Sequence, residues 1–204
     1  MHNVYTYNNM VFVVVAHYNE DTTWVNNLKY KYQIISKAGI PREHPPNKGN
    51  EASSFLQYII TNYDNLDDVT VFVHGHRNDW HHKENIDEKI NRMVFDKDYY
   101  NINTNDNQNS LTLLLKHPDS LAKMKQMLPQ LGNILNTMIQ PERIVYRNSA
   151  QFYVKKELIK RHSKETYSKL HAWLMYNRET SYFTGRAFEY IWHIIFTGNH
   201  VDVY

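Results

Sequence analysis

Four of the 12 histidines lie within nine residues of one another, and the first of them follows an apolar stretch directly. His74 and His76 are spaced i, i+2, so their imidazoles would lie on one face at the end of a strand. Two such imidazoles could hold a divalent metal ion, with Asp79 or a distant carboxylate as a further ligand. Gly75 would let a phosphate or a sugar approach the backbone, and Arg77 could clamp a diphosphate with two hydrogen bonds. The alternative is that the histidines only hydrogen-bond neighbouring loops.

Polar side chains that could bind the base and ribose of a nucleotide follow another apolar run, at residues 11–16. In open α/β sheets, ligands bind beyond the carboxyl ends of the strands, which is where these side chains would lie. The alternative is a solvated loop that caps a short helix. The candidates for nucleotide binding are His17, Asn19, Glu20 and Asp21.

A further anion-binding position is Lys48, which lies beside Gly49 just before a predicted helix. Free N–H groups at the N-terminus of a helix attract phosphate, and a lysine at that place would add a positive charge. The alternative is ordinary capping, with Asn50 as the N-cap and Glu51 as a favourable acidic residue in the first turn.

A general base could come from the predicted last helix. Glu189 and His193 are spaced i, i+4 and would share one face of that helix, and Arg186 lies one turn before Glu189. A carboxylate that is half-buried beside aromatic side chains can have its pKa raised into the range of a general base. His193 or Arg186 would then orient the acceptor. The alternative is a structural network of ion pairs and hydrogen bonds.

The elements that must position these residues follow an α/β order. Continuous apolar runs predict strands that are buried on both faces at residues 10–16 and 69–73, and a further strand is predicted at 30–36. An apolar period of 3.6 residues predicts a helix at 51–63. We therefore expect an α/β fold with a mostly parallel sheet, flanking helices and a helical C-terminal segment.

The second half of the chain is predicted to be largely helical. Pro118 opens a helix that Pro129 should kink or split, and Ser163 caps another helix. The last helix is predicted at 185–196. The remaining predictions are a helix at 84–94, an Asn-rich loop at 101–110, a strand or helix start at 111–115, a strand at 149–154 and a helical turn at 155–161.

The composition excludes several classes of protein. The chain of 204 residues has no cysteine, so it contains no disulfide, thiolate zinc site or cysteine nucleophile. A formal net charge of +2 gives no basic footprint for nucleic acid. The apolar run at 11–16 is too short to span a bilayer, so we expect a soluble, cytoplasmic protein. The motifs of P-loop kinases, dinucleotide-binding dehydrogenases and serine hydrolases are absent.

Several stretches together resemble an uncharacterised family with members in fungi and large DNA viruses. The V-F-V-H-G-H-R block with the following Trp80-His81 is the most specific part of this resemblance. The order of the parts is also similar to that of GT-A glycosyltransferases. The stretches run in order over nearly the whole chain and are VVVAHYNEDTTWV, NKGNEASSFLQYIITNYDNL, DVTVFVHGHRNDWH, SAQFYV and GRAFEYIWHIIF.

The resemblance implies a single domain over residues 1–204, with a nucleotide-binding half at 1–100 and an acceptor half at 101–204. It implies a transferase that moves a sugar from a nucleotide donor to a hydroxyl of a glycan or glycoprotein acceptor. A UDP-sugar is the favoured donor, with UDP-xylose as one example.

Three parts of a GT-A enzyme have counterparts in this chain. The loop that holds the nucleotide after strand one matches residues 17–21, and Glu189 is the candidate for the base in the later half. His74 and His76 fall where GT-A enzymes have an Asp-x-Asp motif, which holds the metal and the sugar diphosphate. The chain has no Asp-x-Asp at that place. Either this histidine pair replaces the motif and holds Mn²⁺ or Mg²⁺, or Arg77 and lysine residues neutralise the diphosphate without a metal.

Two functions from other classes stay open. One is a metal-dependent hydrolase that uses the histidine cluster, which requires a third and a fourth ligand on the same ion. The other is a glycan-binding protein without catalytic activity, in which Glu189 would matter only for stability.

Overall fold

The part of the chain that can be described is given by a computed structural model, and it comprises residues 10–78, 84–103, 109–110, 118–146 and 150–201. Four predictions lie wholly or partly outside these residues: Asp79 as a metal ligand, residues 104–108 of the loop at 101–110, the strand or helix start at 111–115, and the first residue of the strand at 149–154.

The described residues form short strands interleaved with helices, as the α/β prediction requires. In chain order, the strands are β1 (Val11–His17), β2 (Lys31–Ser36), β3 (Val69–His74), β4 (Tyr99–Asn101), β5 (Asn109–Ser110), β6 (Val145–Tyr146) and β7 (Phe152–Lys155). The helices are α1 (Glu51–Asn62), α2 (Ile86–Arg92), α3 (Pro118–Leu135), α4 (Lys156–Ile159), α5 (Lys164–Tyr176), α6 (Ser181–Glu189) and α7 (Trp192–Thr197). Short 3-10 helices occupy Thr23–Asn27, Tyr63–Asn65 and Pro141–Arg143.

Five strands form one mixed sheet in the order β2-β1-β3-β7-β4. β1 pairs in parallel with β2 and β3, whereas β7 pairs antiparallel with β3 and β4, so the prediction of a mostly parallel sheet is corrected. The reason lies at the end of β3, where the backbone N–H of His74 donates to Oε1 of Gln151 at 3.3 Å. The chain leaves β3 and enters β7 at the same end of these two strands, so β7 runs antiparallel to β3.

Both faces of the central strands are buried, as the continuous apolar runs predict. Along β1, Val14 packs into the cluster formed by α1 and the C-terminal helices. Val13 and Val15 point to the opposite face, where they pack with Trp24 and Ile86. The side chains of a strand alternate between two apolar layers, so an unbroken apolar sequence is the expected pattern.

Trp192 lies within the aromatic core and is only 1% exposed. The centroid of its ring lies 5.3 Å from Phe188, 5.4 Å from Phe152, 5.8 Å from Phe196 and 6.0 Å from Phe55. These four rings belong to α6, β7, α7 and α1, so one indole connects the sheet to the helices on one of its faces.

The single last helix predicted at 185–196 is wrong. The structure has two helices there, α6 and α7, because Ile191 adopts φ −125° and ψ 1°, which is not a helical conformation. All residues at 190–196 are buried. A straight surface helix buries only one stripe, so the break allows consecutive side chains to enter the core.

The predicted strand at 30–36 and the predicted helices at 51–63 and 84–94 agree with β2, α1 and α2 apart from their bounds. α3 continues through Pro129, so this proline does not split the helix. Ser163 caps α5, since its Oγ accepts a hydrogen bond from the backbone N–H of Thr166 at 3.2 Å. The predicted loop at 101–110 contains the last residue of β4 and all of β5. A membrane-crossing helix would have to be longer and more apolar than any helix in the described part of the chain.

Candidate active site

β1 lies between β2 and β3 in the sheet, so the strand order changes direction at the carboxyl end of β1. His17 pairs with Ser36, and Ala16 pairs with His74, so the ends of the three parallel strands are aligned. A switch point of this kind leaves a crevice beyond the strand ends, where ligands bind in open sheets. The two predicted polar groups, which follow β1 and β3, meet at this crevice.

The loop after β1 folds around the carboxylate of Glu20. Its Oε2 accepts hydrogen bonds from the backbone N–H groups of Tyr18 at 2.6 Å and Asn19 at 3.0 Å, and its Oε1 lies 3.5 Å from Nε2 of His76. Partial burial would raise the pKa of Glu20, but these N–H groups and His76 outweigh burial, so the pKa is lowered. A Cβ at Gly75 would lie 3.0 Å from Oε2, so glycine leaves room for this contact.

His17 and Asp21 hold the same loop in place. Nδ1 of His17 is hydrogen-bonded to Oγ of Ser36 at 2.8 Å, and its Nε2 to the backbone oxygen of Glu20 at 3.1 Å. Oδ1 of Asp21 accepts from the N–H of Thr23 at 2.9 Å, at the start of a 3-10 helix. These bonds are of the kind expected for a loop that leads into a short helix. His17 and Asp21 therefore act on the site by holding the backbone of the loop in place.

A cavity of about 260 Å³, the central cavity, opens beyond β1 and β3 and reaches the N-terminus of α1. It is lined by five predicted site residues that come from three distant parts of the sequence: His17, Glu20, His74, His76 and Glu189. The structure therefore brings these residues together. The other residues that line the central cavity are Ala16, Tyr18, Lys37, Arg42, Asn47, Asn50, Glu51 and Ser54.

Two carboxyl groups line the central cavity from different helices, because Glu51 begins α1 and Glu189 ends α6. Burial and the negative charge of Glu51 raise the pKa of Glu189 to about 8, although Arg186 opposes them. Burial also raises the pKa of Glu51 to about 6, against the effect of Lys37 and Arg42. Like charges in one site favour the protonated form of a carboxyl group, which is the direction in which both pKa values move.

Lys37 is the buried cation of the central cavity. It follows β2 directly, is 3% exposed, and donates a hydrogen bond from Nζ to Oγ of Ser53. Burial lowers the pKa of Lys37 to about 8, although Glu51 favours its charged form. Most Lys37 side chains are still protonated at neutral pH, so the cavity contains a positive charge beside its carboxyl groups.

Gly185 allows α6 to pack closely against the N-terminus of α1. A Cβ at Gly185 would lie 2.8 Å from Nδ2 of Asn50 and 3.1 Å from the backbone oxygen of Gly49. Glu189 lies four residues further along α6, on the same face of the helix. The close contact at Gly185 therefore determines how near Glu189 comes to Glu51.

We expect Gly185→Ala to lower the free energy of unfolding by about 1–3 kcal/mol, the usual cost of an added methyl group in a well-packed contact. In an exposed helix interior the same change would raise it by up to about 1 kcal/mol. The sign therefore tests the contact. Urea unfolding followed by circular dichroism gives the value, and equal or higher stability would show that α6 and α1 are not in tight contact.

A second cavity, of about 440 Å³, shares Glu20 and His76 with the central cavity. Arg77 lines this side cavity and is held by Asp87, with Nε to Oδ1 and Nη2 to Oδ2 both at 3.1 Å. Asp87 is 1% exposed and also accepts from Nδ2 of Asn27 at 2.8 Å. The guanidinium of Arg77 is thus fixed by a protein carboxylate and does not line the central cavity.

Five predicted site residues line neither of these two cavities: Asn19, Lys48, Gly75, Arg186 and His193. Nζ of Lys48 donates to the backbone oxygen of Asn177, so this lysine connects the loop before α1 to the end of α5. His193 lies beyond the break between α6 and α7, so it does not share a helical face with Glu189. Burial lowers the pKa of His193 to about 4, and the charged group that acts on it is His200.

Arg186 lies beside the central cavity without lining it. Its Nη1 donates to the hydroxyl oxygen of Tyr182 at 2.8 Å, and its guanidinium carbon lies 4.2 Å from the centroid of the same ring. Its charge favours the ionised form of Glu189. The structure thus gives Arg186 an electrostatic role towards the carboxylate.

Nearly the whole chain matches one known protein family. The sequence profile of a family described as Protein of unknown function (DUF3431) matches residues 12–203. The chain belongs to the DUF3431 family. No curated protein matches it, and no solved structure does. The DUF3431 match agrees with the expected resemblance to an uncharacterised family over nearly the whole chain.

The described residues of this DUF3431 chain do not form a complete metal site. His74 and His76 both line the central cavity, but no three histidine, aspartate or glutamate side chains in the described ranges are grouped closely enough to hold an ion. Mg²⁺ and Mn²⁺ prefer oxygen ligands, which an imidazole pair does not supply. The residues described thus do not fit either ion by themselves.

Two residues of this DUF3431 site, Glu51 and Lys37, are not among the site residues predicted from the sequence. Glu51 is an acidic residue in the first turn of a helix, and ordinary helix capping predicts such a residue there. Lys37 carried a usable signal, because it follows a predicted strand at the edge where the other site residues lie.

Proposed function

We propose that the chain is a glycosyltransferase of the GT-A type, which moves a sugar from a nucleotide donor to a hydroxyl of a glycan acceptor. The observation that carries this proposal is the central cavity, in which a carboxyl group with a raised pKa, Glu189, shares a strand-end crevice with cationic side chains. A base and an anion-binding group in one crevice are what sugar transfer from a diphosphate requires.

The cationic side of the central cavity suits the diphosphate of the donor. Lys37 and Arg42 line the cavity, and the N-terminus of α1 at Asn50 and Glu51 borders it. Cations and helix N-terminal N–H groups both stabilise phosphate oxygens. They would also stabilise the negative charge that develops on the leaving diphosphate, so the proposal requires no metal ion.

Unpaired acceptors beside the cavity suit the hydroxyl groups of a sugar. Oδ1 of Asn50 and Oε1 of Glu51 are shielded from solvent and have no hydrogen-bond partner among the described residues. A buried acceptor without a donor costs about 1–3 kcal/mol, so a ligand that donates hydrogen bonds would be favoured. With a cavity of about 260 Å³, we favour a small sugar such as the xylose of UDP-xylose.

Glu189 is the proposed base. Its carboxylate would take the proton of the acceptor hydroxyl while the hydroxyl oxygen bonds to the anomeric carbon. The bond from that carbon to the diphosphate breaks, and its electron pair leaves with the nucleotide diphosphate. The pKa of about 8 at Glu189 keeps the proton there after transfer.

A thermal-shift screen of UDP-, GDP- and CMP-sugars, with and without Mn²⁺, tests the proposal. A ligand at 100 times its dissociation constant adds about 2.7 kcal/mol, which raises Tm by roughly 5–10 °C for a chain of this size. We expect a UDP-sugar to give such a shift. The absence of a shift with every nucleotide sugar, with and without metal, would rule out the transferase.

Variants assign the binding to the central cavity. Arg42→Gln should reduce the shift, because it removes a cation that lines the cavity, whereas the matched change Arg143→Gln affects an exposed residue outside it and should not. His74→Ala and His76→Ala ask whether any dependence on Mn²⁺ involves these imidazoles. A shift with free glycans alone would favour the glycan-binding protein, and zinc that co-purifies with hydrolytic activity would favour the hydrolase.

A further inference from the structure

Ser181 joins the first turn of α6 to the loop at residues 41–50, and it is only 1% exposed. Its Oγ donates a hydrogen bond to the backbone oxygen of Arg42 at 2.8 Å and accepts one from the backbone N–H of Gly49 at 3.1 Å. Its own N–H donates to the two carboxylate oxygens of Glu43, at 3.1 and 3.0 Å. One buried residue of α6 thus holds this loop near both of its ends.

That loop supplies polar side chains to the central cavity, including those of Arg42, Asn47 and Asn50. Asn50 has φ 56°, in the left-handed region that few residues other than glycine adopt. A strained backbone of this kind persists only where the surrounding structure fixes it. The hydrogen bond from Gly49 to Ser181 lies next to Asn50 in the chain, so it is a contact that can fix this conformation.

α6 therefore has a group of the site at each of its ends. Its first residue, Ser181, holds the loop that supplies the cation Arg42, and its last residue, Glu189, lines the central cavity. A rise of 1.5 Å per residue separates Ser181 from Glu189 by about 12 Å along the helix. A rigid helix between them would fix the distance from a diphosphate on Arg42 to the carboxyl group of Glu189. Transfer of a group between two substrates requires such a fixed geometry.

We propose that Ser181 is a positioning residue, which holds Arg42 and Asn50 in the arrangement that binds the diphosphate of the donor. Glu43 supports this role by accepting hydrogen bonds from the N–H of Ser181. The role deepens the proposed transferase and rests on it for the identity of the ligand. An anion site that is already formed binds more tightly than one that must be ordered on binding. Loss of the Ser181 hydroxyl should therefore weaken diphosphate binding even in folded protein.

Limited trypsin digestion of the full chain tests the attachment of the loop without any ligand. Trypsin cuts after Arg42, whose carbonyl oxygen accepts the bond from Ser181, and mass spectrometry identifies the fragments 1–42 and 43–204. We expect Ser181→Ala to be cut there about tenfold faster, because two hydrogen bonds no longer hold the closed loop. The matched variant Ser168→Ala removes an exposed hydroxyl from α5 and should be cut at the wild-type rate. An unchanged rate in Ser181→Ala would overturn the attachment.

Calorimetric titration with inorganic diphosphate tests the positioning role in folded protein. Ser181→Ala should bind about tenfold more weakly, a loss that a purely structural role would not cause. Glu43 is exposed, so its variants guard against a chain that fails to fold. Glu43→Ala should bind more weakly than Glu43→Gln, which removes the same charge but keeps an acceptor for the N–H of Ser181. Wild-type affinity in Ser181→Ala, or equal affinities in the two Glu43 variants, would refute the positioning role.

The two measurements separate the role of Ser181 from the transferase. If Ser181→Ala is cut faster but the wild type binds neither diphosphate nor any nucleotide sugar, Ser181 still holds the loop, whereas the transferase and its diphosphate site both fail. If nucleotide sugars bind while Ser181→Ala keeps the wild-type cutting rate and affinity, the transferase stands and the positioning role fails.

Discussion

Glu189→Gln is expected to lower kcat for sugar transfer by about 10²–10⁴-fold, the contribution typical of a positioned general base. Glutamine keeps the size of the side chain and its hydrogen bonds but cannot accept a proton. The thermal shift given by the donor should remain, because the cations of the central cavity are unchanged. Initial rates at saturating donor and acceptor measure the effect, with Glu157→Gln as the matched exposed control.

The dependence of the rate on pH distinguishes a base from a merely structural residue. Only the ionised carboxylate of Glu189 accepts a proton, so the rate of the wild-type protein should rise as the pH increases through about 8. The residual rate of Glu189→Gln should lack this rise. The same pH profile in both proteins would remove Glu189 from the chemistry, even if the variant were slower.

The same pKa predicts how stability changes with pH. The native Glu189 retains its proton up to about pH 8, whereas the unfolded chain releases it near the ordinary value of 4.5. The native state therefore binds more protons between these values. The contribution of Glu189 is complete below pH 4.5 and is lost as the pH rises through 8. The free energy of unfolding of the wild type relative to Glu189→Gln should fall from pH 5 to pH 9, and a constant difference would contradict a raised pKa.

The largest expected effect on stability comes from Trp192→Ala, which should lower the free energy of unfolding by about 3–5 kcal/mol. The indole is 1% exposed and packs against aromatic rings from four elements. Its removal leaves a cavity that these rings cannot close without losing their contacts. Urea unfolding by fluorescence and circular dichroism gives the value. A loss below about 1 kcal/mol would show that the core repacks around the site.

Trp192→Phe is the matched control for the aromatic core. The Nε1 group of Trp192 is buried and has no hydrogen-bond partner in the part of the chain that is described. Phenylalanine removes this unpaired N–H and keeps a ring in contact with its neighbours. We expect it to cost less than about 1.5 kcal/mol, in the range of conservative core changes. Equal losses in both variants would indicate that the indole N–H contributes more than the packing.

β1, β2, β3 and β7 could be predicted because the local sequence indicates which segments are extended and buried, whereas the short strands β4, β5 and β6 were not predicted. The unbroken apolar runs of β1 and β3 indicate two covered faces wherever the strands lie in a sheet. The direction of β7 could not be predicted, since it depends on the end of β3 at which the chain returns to the sheet. The hydrogen bond from the backbone N–H of His74 to Gln151 marks that end, and it joins residues far apart in sequence.

The strand-end rule predicts part of the site, but it did not single out Lys37 after β2, and it does not reach Glu51, whose place in the site depends on a contact between helices. Glu20 and His76 follow β1 and β3, and the strand-end rule brings them to the central cavity. Glu51 resembles any acidic residue of a first helical turn until α6 is packed against α1. Lys48 is predicted to bind phosphate from its type and its place just before a helix, but its ammonium group donates a hydrogen bond to the backbone oxygen of Asn177. Spacing alone does not show such a long-range partner.

The mixed sheet has a consequence for the newly made protein. Phe72 of β3 pairs with Phe152 of β7, which is 80 residues later in the chain. At a synthesis rate of about 5–20 residues per second, β3 exists for roughly 4–16 s before its neighbour has been made. During that time one edge of the mostly apolar strand β3 is unpaired and can pair with other chains. Rapid overproduction at high temperature should therefore yield insoluble chains, and slower synthesis should increase the fraction that folds.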